Sequence, residues 1–427
     1  MKDRSAGAVA GIVAACAIWL TTTTPAVAQP GDLDQSFSGD GKAITDFTDR
    51  DDFIWDLAIQ ADGKIVAAGG SASGKHFALA RYRTNGALDT TFGGDGRVVT
   101  RMTEGTDFVT AVAIQDDQKI VAAGRVSGSG GRYGLARYLA NGKLDITFSG
   151  DGKVMTNLTP GRDNAWGVAI QPDGKIVAVG IASPLHGEFS VIRYNTDGSL
   201  DTTFSDDGKV ITSVDDVTDW AWDVALQEDG KIVVSGVSQV IASNTQLALV
   251  RYNDDGTLDE GFGPGGVGWV TANFTAGWDD ASGVAIQSDG RIVTAGAGGG
   301  SGGRLLMARF NDDGTTDATF SGDGRTFTDF SSTDDYAWEL ALQLDGKIVA
   351  AGSSGSTATQ STIAVARYDS AGLLDPTFSG DGKVTTDATA GFDIATCVAV
   401  QTDGAIVVGG SVGGAGGRFA VLRYLAA

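Results

Sequence analysis

The chain has 427 residues, 42% apolar and 20% charged, which is enough apolar side chain for a sizeable core and excludes wholesale disorder. Its 31 Lys and Arg stand against 53 Asp and Glu, a net charge of −22 that is repelled by a phosphate backbone and excludes general nucleic-acid binding. Two His (His76, His186) and two Cys (Cys16, Cys397) leave no His/Cys zinc cluster and only two candidates for a His-dependent triad.

The chain opens as an export signal. Lys2 and Arg4 precede an uncharged run from Ser5 to Leu20, and Ala26-Val27-Ala28 has the A-x-A form that signal peptidase reads. Cleavage is expected after Ala28, making residues 1–28 a signal peptide and residues 29–427 one secreted, cell-surface or periplasmic domain. Val13-Ala14-Ala15-Cys16 also has the form of a lipobox, with Cys16 as a lipid anchor. The apolar run continues through Leu20, where a lipoprotein turns polar, so secretion is the preferred reading. No later segment reads as a membrane span, and the single mature thiol, Cys397, allows no disulfide within the domain.

From residue 29 onward one unit is written seven times. L-D-x-x-F has its Asp at Asp34, Asp89, Asp145, Asp201, Asp259, Asp317 and Asp375, with Thr316 in place of Leu in the sixth, at spacings of 55 to 58 residues. D-G-K-I-V has its Asp at Asp62, Asp117, Asp173, Asp229, Asp289, Asp345 and Asp403, and a Gln stands two residues before each. R-Y or R-F follows at Arg81, Arg137, Arg193, Arg251, Arg309, Arg367 and Arg423.

Each unit predicts four short strands. In the first, Trp55–Gln60 and Lys64–Gly69 flank the turn Asp62-Gly63, an Asp-Gly pair between β-branched runs. Phe77–Tyr82 follows a loop of varying length, and Arg97–Thr100 comes after Asn85-Gly86, Leu88–Phe92 and Gly94-Asp95-Gly96. The second strand is apolar on both faces, as in a sheet packed between two others. The fold is therefore all-β: a seven-bladed β-propeller of four-stranded antiparallel blades, with a β-solenoid as runner-up. The mature chain starts just before Leu33-Asp34 and a fourth-strand pattern, Gly41–Thr45, and ends with a third-strand pattern, Leu422-Arg423-Tyr424. The N-terminal strand is expected to complete the last blade and close the ring.

The blocks L-D-x-T-F-x-G-D-G-K, A-x-Q-x-D-G-K-I-V-x-x-G and R-Y-x-x-D-G-x-L-D resemble the delta-60 repeat, a β-propeller repeat of bacterial exported proteins, over about residues 31–427. The resemblance implies a bacterial exported propeller and no particular chemistry. Gln118 in place of the turn Gly, Ala405 in place of the turn Lys, and Gly263-Pro264-Gly265-Gly266 in place of S-G-D-G are departures from the pattern.

Residues present in every unit read first as scaffold. Asp52, Asp107, Asp163, Asp219, Asp279, Asp335 and Asp393 suggest one ion pair or one linker cap per blade; the sharper alternative is a ring of carboxylates around the axis binding a cation. Asn195–Asp201 and Asn253–Gly256 superficially resemble calcium loops but lack the full ligand pattern, so turns are preferred; calcium is compatible and no cofactor is required. The Gly-rich runs 296–303 and 409–417 are expected to be loops.

Trp55, Trp166, Trp222 and Trp338 all stand seven residues before the D-G-K Asp, where the other units have Thr110, Ser282 and Thr396; Trp220 lies two residues before Trp222. These tryptophans are the candidate ligand-binding residues, with packing between blades as their bland alternative. The leading function is a noncatalytic binding module for a surface glycan or protein, monomeric, with no catalytic residue singled out. The alternatives are a carbohydrate-active enzyme using pairs such as Asp51-Asp52, Asp279-Asp280 or Asp334-Asp335, and a structural or adhesive envelope component.

Overall fold

The computed structural model describes residues 28–427 except 129, 184–185, 216, 242–243, 300–301, 358–359, 414–416 and 427. Nearly all of the expected export signal, Cys16 included, lies outside the described residues. Among those described there is no helix, and so none long and apolar enough to cross a membrane.

Seven antiparallel sheets form seven blades. Blade 1 consists of Phe53–Ile59, Ile65–Ser71, His76–Tyr82 and Arg97–Thr100, paired in chain order. Blades 2 to 6 repeat this plan over residues 108–156, 162–212, 218–272, 278–328 and 335–386. Blade 7 is Ile394–Val400, Ile406–Val412 and Arg418–Tyr424, completed by Lys42–Thr45 from the chain start, with Lys42 opposite Leu422 and Thr45 opposite Phe419. The expected closure is thus present. The first strands of neighbouring blades touch all the way round, including blade 7 against blade 1, so they form the inner ring.

The second strand shows why the wedges form. Side chains alternate across a strand: Ile65 and Ala67 pack toward blade 7 while Val66 and Ala68 pack toward blade 2, all without solvent contact. The core is accordingly seven clusters, one between each pair of adjacent blades. Both glycine runs expected to be loops lie partly in strands: residues 296–299 belong to the second strand of blade 5, Ile292–Gly299, and residues 409–412 to that of blade 7, Ile406–Val412. A Cβ on Gly296 would overlap Asp280, and one on Gly298 would meet Asp279 Oδ1 at 2.6 Å, so small size here serves packing within a sheet.

The repeated Arg, Asp and Phe make a clamp on the ring's turns. The Nε of Arg81, Arg137, Arg193, Arg251, Arg309, Arg367 and Arg423 donates to the Asp of L-D-x-x-F at 2.7–3.0 Å, with Asp34 serving Arg423. Each guanidinium also lies over the Phe of the same block, 4.5–4.9 Å from the ring centroid. Its Nη1 reaches a backbone carbonyl in the next blade: Arg81 to Ala140, Arg193 to Asp254, and Arg423 to Thr84 across the closure.

Candidate functional site

In every blade but the fifth, the register of the first strand slips by one residue against the second, at Ile54/Asp56, Val109/Ala111, Ala165/Gly167, Ala221/Asp223, Ala337/Glu339 and Ala395/Cys397. In blade 5 the strand breaks outright between Trp278–Asp279 and Gly283–Ile286. Such a bulge leaves one residue unpaired and re-aims it. The Gly of K-I-V-x-x-G makes it fit: a Cβ on Gly69, Gly124, Gly180, Gly236, Gly352 or Gly410 would overlap the carbonyl oxygen just before the slip.

The skipped residues are Trp55, Thr110, Trp166, Trp222, Trp338 and Thr396, and Ser282 is their equivalent in blade 5. All seven line one cavity of about 400 Å³, to which each blade's inner strand contributes. Where the residue is Thr, its hydroxyl donates to the next blade: Thr110 to Ala165 O and Thr396 to Ile54 O, both at 3.0 Å. Where it is Trp, the rings meet one another. Trp55 packs edge-on against Trp166 at 5.8 Å, Trp166 against Trp222 at 5.0 Å, and Trp222 against Trp220 at 5.7 Å. Four of the five candidate tryptophans therefore converge on the cavity. Trp220 is outside its lining and 41% exposed, joined to it through Trp222, while Trp338 is 36% exposed and stacked on Tyr336.

The residue after each skipped one went unnoticed in the sequence. In chain order this column reads Asp56, Ala111, Gly167, Asp223, Gly283, Glu339 and Cys397. Its three acids enter the cavity half-buried, and no Lys, Arg or His among the described residues lines it. Asp56 accepts from the N–H of Leu57 and, in the next blade, of Val112, both at 2.6 Å. Asp223 repeats this with Val224 at 2.7 Å and Val284 at 2.9 Å, and Glu339 accepts from Val398 at 3.1 Å.

Burial, joined by the charge of Asp223, pushes the Asp56 carboxyl up to about 7 against the pull of its two N–H donors. Burial likewise lifts Asp223 to about 6. Glu339 is driven well above the carboxylate range by burial and then by Asp56 and Asp223. The Cys397 thiol is fully buried and is raised by burial and then by Asp56 and Glu339, so it is a poor nucleophile. Asp56, Glu339 and Cys397 bring ligand atoms within 4.8 Å of one another.

The repeated Asp row is elsewhere occupied. Asp52, Asp107, Asp163, Asp219, Asp279, Asp335 and Asp393 are fully buried and accept N–H groups of the incoming linkers, as from Phe47 and Thr48 to Asp52 and from Leu158 and Thr159 to Asp163. None has an arginine partner among the described residues, and none lines the axial cavity, so they are linker caps. In the calcium-like loops Asp197 and Asp255 accept from the N–H and hydroxyl of Ser199 and Thr257, closing turns. Of the acid pairs, Asp334 is taken by the N–H of Gly302 and Gly303, and Asp280 by Ala297 N and the Ser282 hydroxyl.

Residues 60–92, 115–148, 171–204, 227–262, 287–320 and 343–378 match the family model described as a domain of unknown function (DUF5122) beta-propeller. The chain is a repeat β-propeller. Each matched stretch begins after the bulge and ends at the Phe of L-D-x-x-F, so it takes in the clamp and omits every axial residue. No curated protein matches. Among solved structures, the chain is similar to virginiamycin B lyase from Staphylococcus aureus in two forms. The selenomethionine form has 8% identity and a TM-score of 0.51, covering 90% of this chain and 98% of that one. The catalytically inactive form with quinupristin has 8% identity and a TM-score of 0.50, covering 90% and 99%. A gluconolactonase from Xanthomonas campestris has 13% identity and a TM-score of 0.40, covering 93% and 97%. At 8% identity the likeness to the lyase is one of fold alone.

Proposed function

We propose that this chain is an exported, noncatalytic binding propeller that takes a small ligand into the axial cavity, either free or as the end group of a surface glycan. The carrying observation is the convergence of four tryptophans and three acids, all at positions where the repeat breaks its own pattern, on one cavity of about 400 Å³. The indole N–H groups of Trp55 and Trp166, both lining residues, are buried with no hydrogen-bond partner among the described residues, at a cost of about 1–3 kcal/mol each. Trp338 in the lining and Trp220 beside it, both partly exposed, offer stacking surface for the rest of a longer ligand. Export, the delta-60 assignment and a monomeric state complete the reading; N-terminal sequencing of the secreted protein is expected to begin at Gln29.

The test is a titration of tryptophan fluorescence with monosaccharides, oligosaccharides and small polar metabolites. A saturable change that disappears in Trp166→Ala is the expected outcome, and a flat response to the whole panel defeats the reading.

A second reading, acid–base catalysis on a carbohydrate, is favoured by Asp56 and Glu339 alone. Two carboxyls within 4.8 Å, one held up to about 7, can share a proton near neutrality. Release of reducing sugar from bacterial glycans, abolished by Glu339→Gln, would establish it.

A further inference from the structure

We propose that the axial cavity is built for a small organic cation, an ammonium or quaternary ammonium group held among Asp56, Asp223 and Glu339 with its carbon skeleton against the indoles of Trp55, Trp166, Trp222 and Trp338. This rests on the reading of the cavity as a binding site and names the ligand class. The first support is uncompensated charge. Three acids from blades 1, 4 and 6 enter one half-open space, and among the described residues no basic side chain lines it; another titratable neighbour is the Cys397 thiol. Such a group of carboxyls stays partly protonated until a cation arrives.

The second support is that the fold does not require these acids. Blades 2, 3 and 7 make the same bulge with Ala111, Gly167 and Cys397, and Gly283 stands at that position in blade 5. Bridging to the next blade's N–H is therefore not a general need of the ring. The third is the wall itself: indole faces attract a cation, and quaternary ammonium groups are commonly recognised between aromatic rings. A bare metal ion fits less well. Both oxygens of Asp56 and of Asp223 already accept backbone N–H groups, and the space far exceeds what an ion fills.

The test uses the secreted chain, residues 29–427, with tryptophan fluorescence and thermal unfolding as readouts. The probes are choline, tetramethylammonium, the neutral choline isostere 3,3-dimethylbutanol, a neutral monosaccharide, calcium and zinc. Choline is expected to bind roughly tenfold or more tighter than its neutral isostere. Its affinity should rise between pH 5 and pH 8, because the carboxyls must lose protons to meet it. Asp223→Asn and Glu339→Gln should each weaken choline binding roughly tenfold; the Gln oxygen can keep the single bond from Val398, so Glu339→Gln should unfold at pH 5 at or above the wild-type temperature, which separates lost recognition from lost folding. Equal binding of the isostere, or a response to the monosaccharide alone, overturns the cation and leaves the binding site standing. A response to calcium or zinc alone makes it a metal site and also overturns the proposal. No response to any probe overturns the cation and, together with a flat glycan panel, the binding reading as well.

Discussion

The turns on the ring's periphery and the inner strands at its axis come from the same seven units, yet they use the repeat in opposite ways. At the turns each blade presents the same Arg, Asp and Phe, and each Arg both pairs within its blade and hooks the next one. Sameness is useful there, because every junction has the same geometric problem and one solution closes all of them. At the axis the inner strands converge on a space that cannot hold seven large side chains. Bulky Trp, small Gly and Ala, and three acids share it unequally. Symmetry builds the ring, and its breakdown leaves a cavity with chemistry of its own. Substitutions should accordingly cost stability at the turns and change binding or pH response at the axis.

The largest expected effect is on closure. Deleting residues 29–48 removes the outer strand Lys42–Thr45, the partner Asp34 of Arg423, and Phe37 beneath that guanidinium. It also exposes the third strand of blade 7 as a free edge. The truncated chain should lose its cooperative melt; an unchanged melting curve would mean that blade 7 stands without its fourth strand.

Next comes a single clamp. Arg193→Met strips the buried Asp201 of its main cation, with Lys175 left at 3.3 Å. Breaking such a pair by one partner costs about 3–5 kcal/mol. Burial works against the Asp201 carboxylate, but the Thr203 hydroxyl and N–H together with Arg193 hold it down to about 2. A depressed carboxyl gives stability that is present above its unfolded value of 3.8 and lost as pH falls through about 2. Urea unfolding should therefore show a large loss at neutral pH, and the acid-unfolding midpoint of the variant should move up.

Much of this comparison was legible in the sequence, and what escaped did so for a physical reason. Turn chemistry and period-two patterning are local, so Asp62-Gly63, the strand order and even the closing strand could be read from the chain alone. The two Asp rows recur with the same period, so nothing in their spacing says which row meets Arg81. The structure chooses Asp89, because the chain doubles back after Tyr82 to pair it with Leu88 and sets Asp89 beside the guanidinium. The axial acids were missed because a register slip is decided between strands. Trp55 was conspicuous as a residue type, whereas Asp56 became notable only once the bulge turned it into the cavity. The irregular column of Asp, Ala, Gly, Asp, Gly, Glu and Cys was the available signal.

At the axis the sign of the pH effect reverses. Asp56, Asp223 and Glu339 are raised in the folded state. Their contribution is full below the unfolded values near 4 and is lost as pH rises through about 6 to 7 and beyond. Glu339→Gln removes one of three mutually repelling charges. It should stabilise the ring at pH 8 by on the order of 1–2 kcal/mol and change little at pH 4, as read from melting temperatures across that range. A variant less stable at pH 8 would mean that the bond from Val398 outweighs the repulsion.

The smallest effect expected returns to the turns, at the one D-G-K turn where Gly is replaced. Gln118 sits at φ 65°, a region unfavourable for a residue with a Cβ, while its neighbours in the other blades, such as Gly63 at 79° and Gly174 at 83°, hold it freely. Relieving that strain by Gln118→Gly should stabilise by about 1 kcal/mol. It also forfeits the long 3.3 Å bond that Gln118 Oε1 accepts from Ala61 in blade 1. That contact is exposed and close to the geometric limit, so the backbone term should win and the melting temperature should rise slightly. A fall would show that the substituted turn has become a tie between blades 1 and 2, and that the turns too have a place where one blade differs to a purpose.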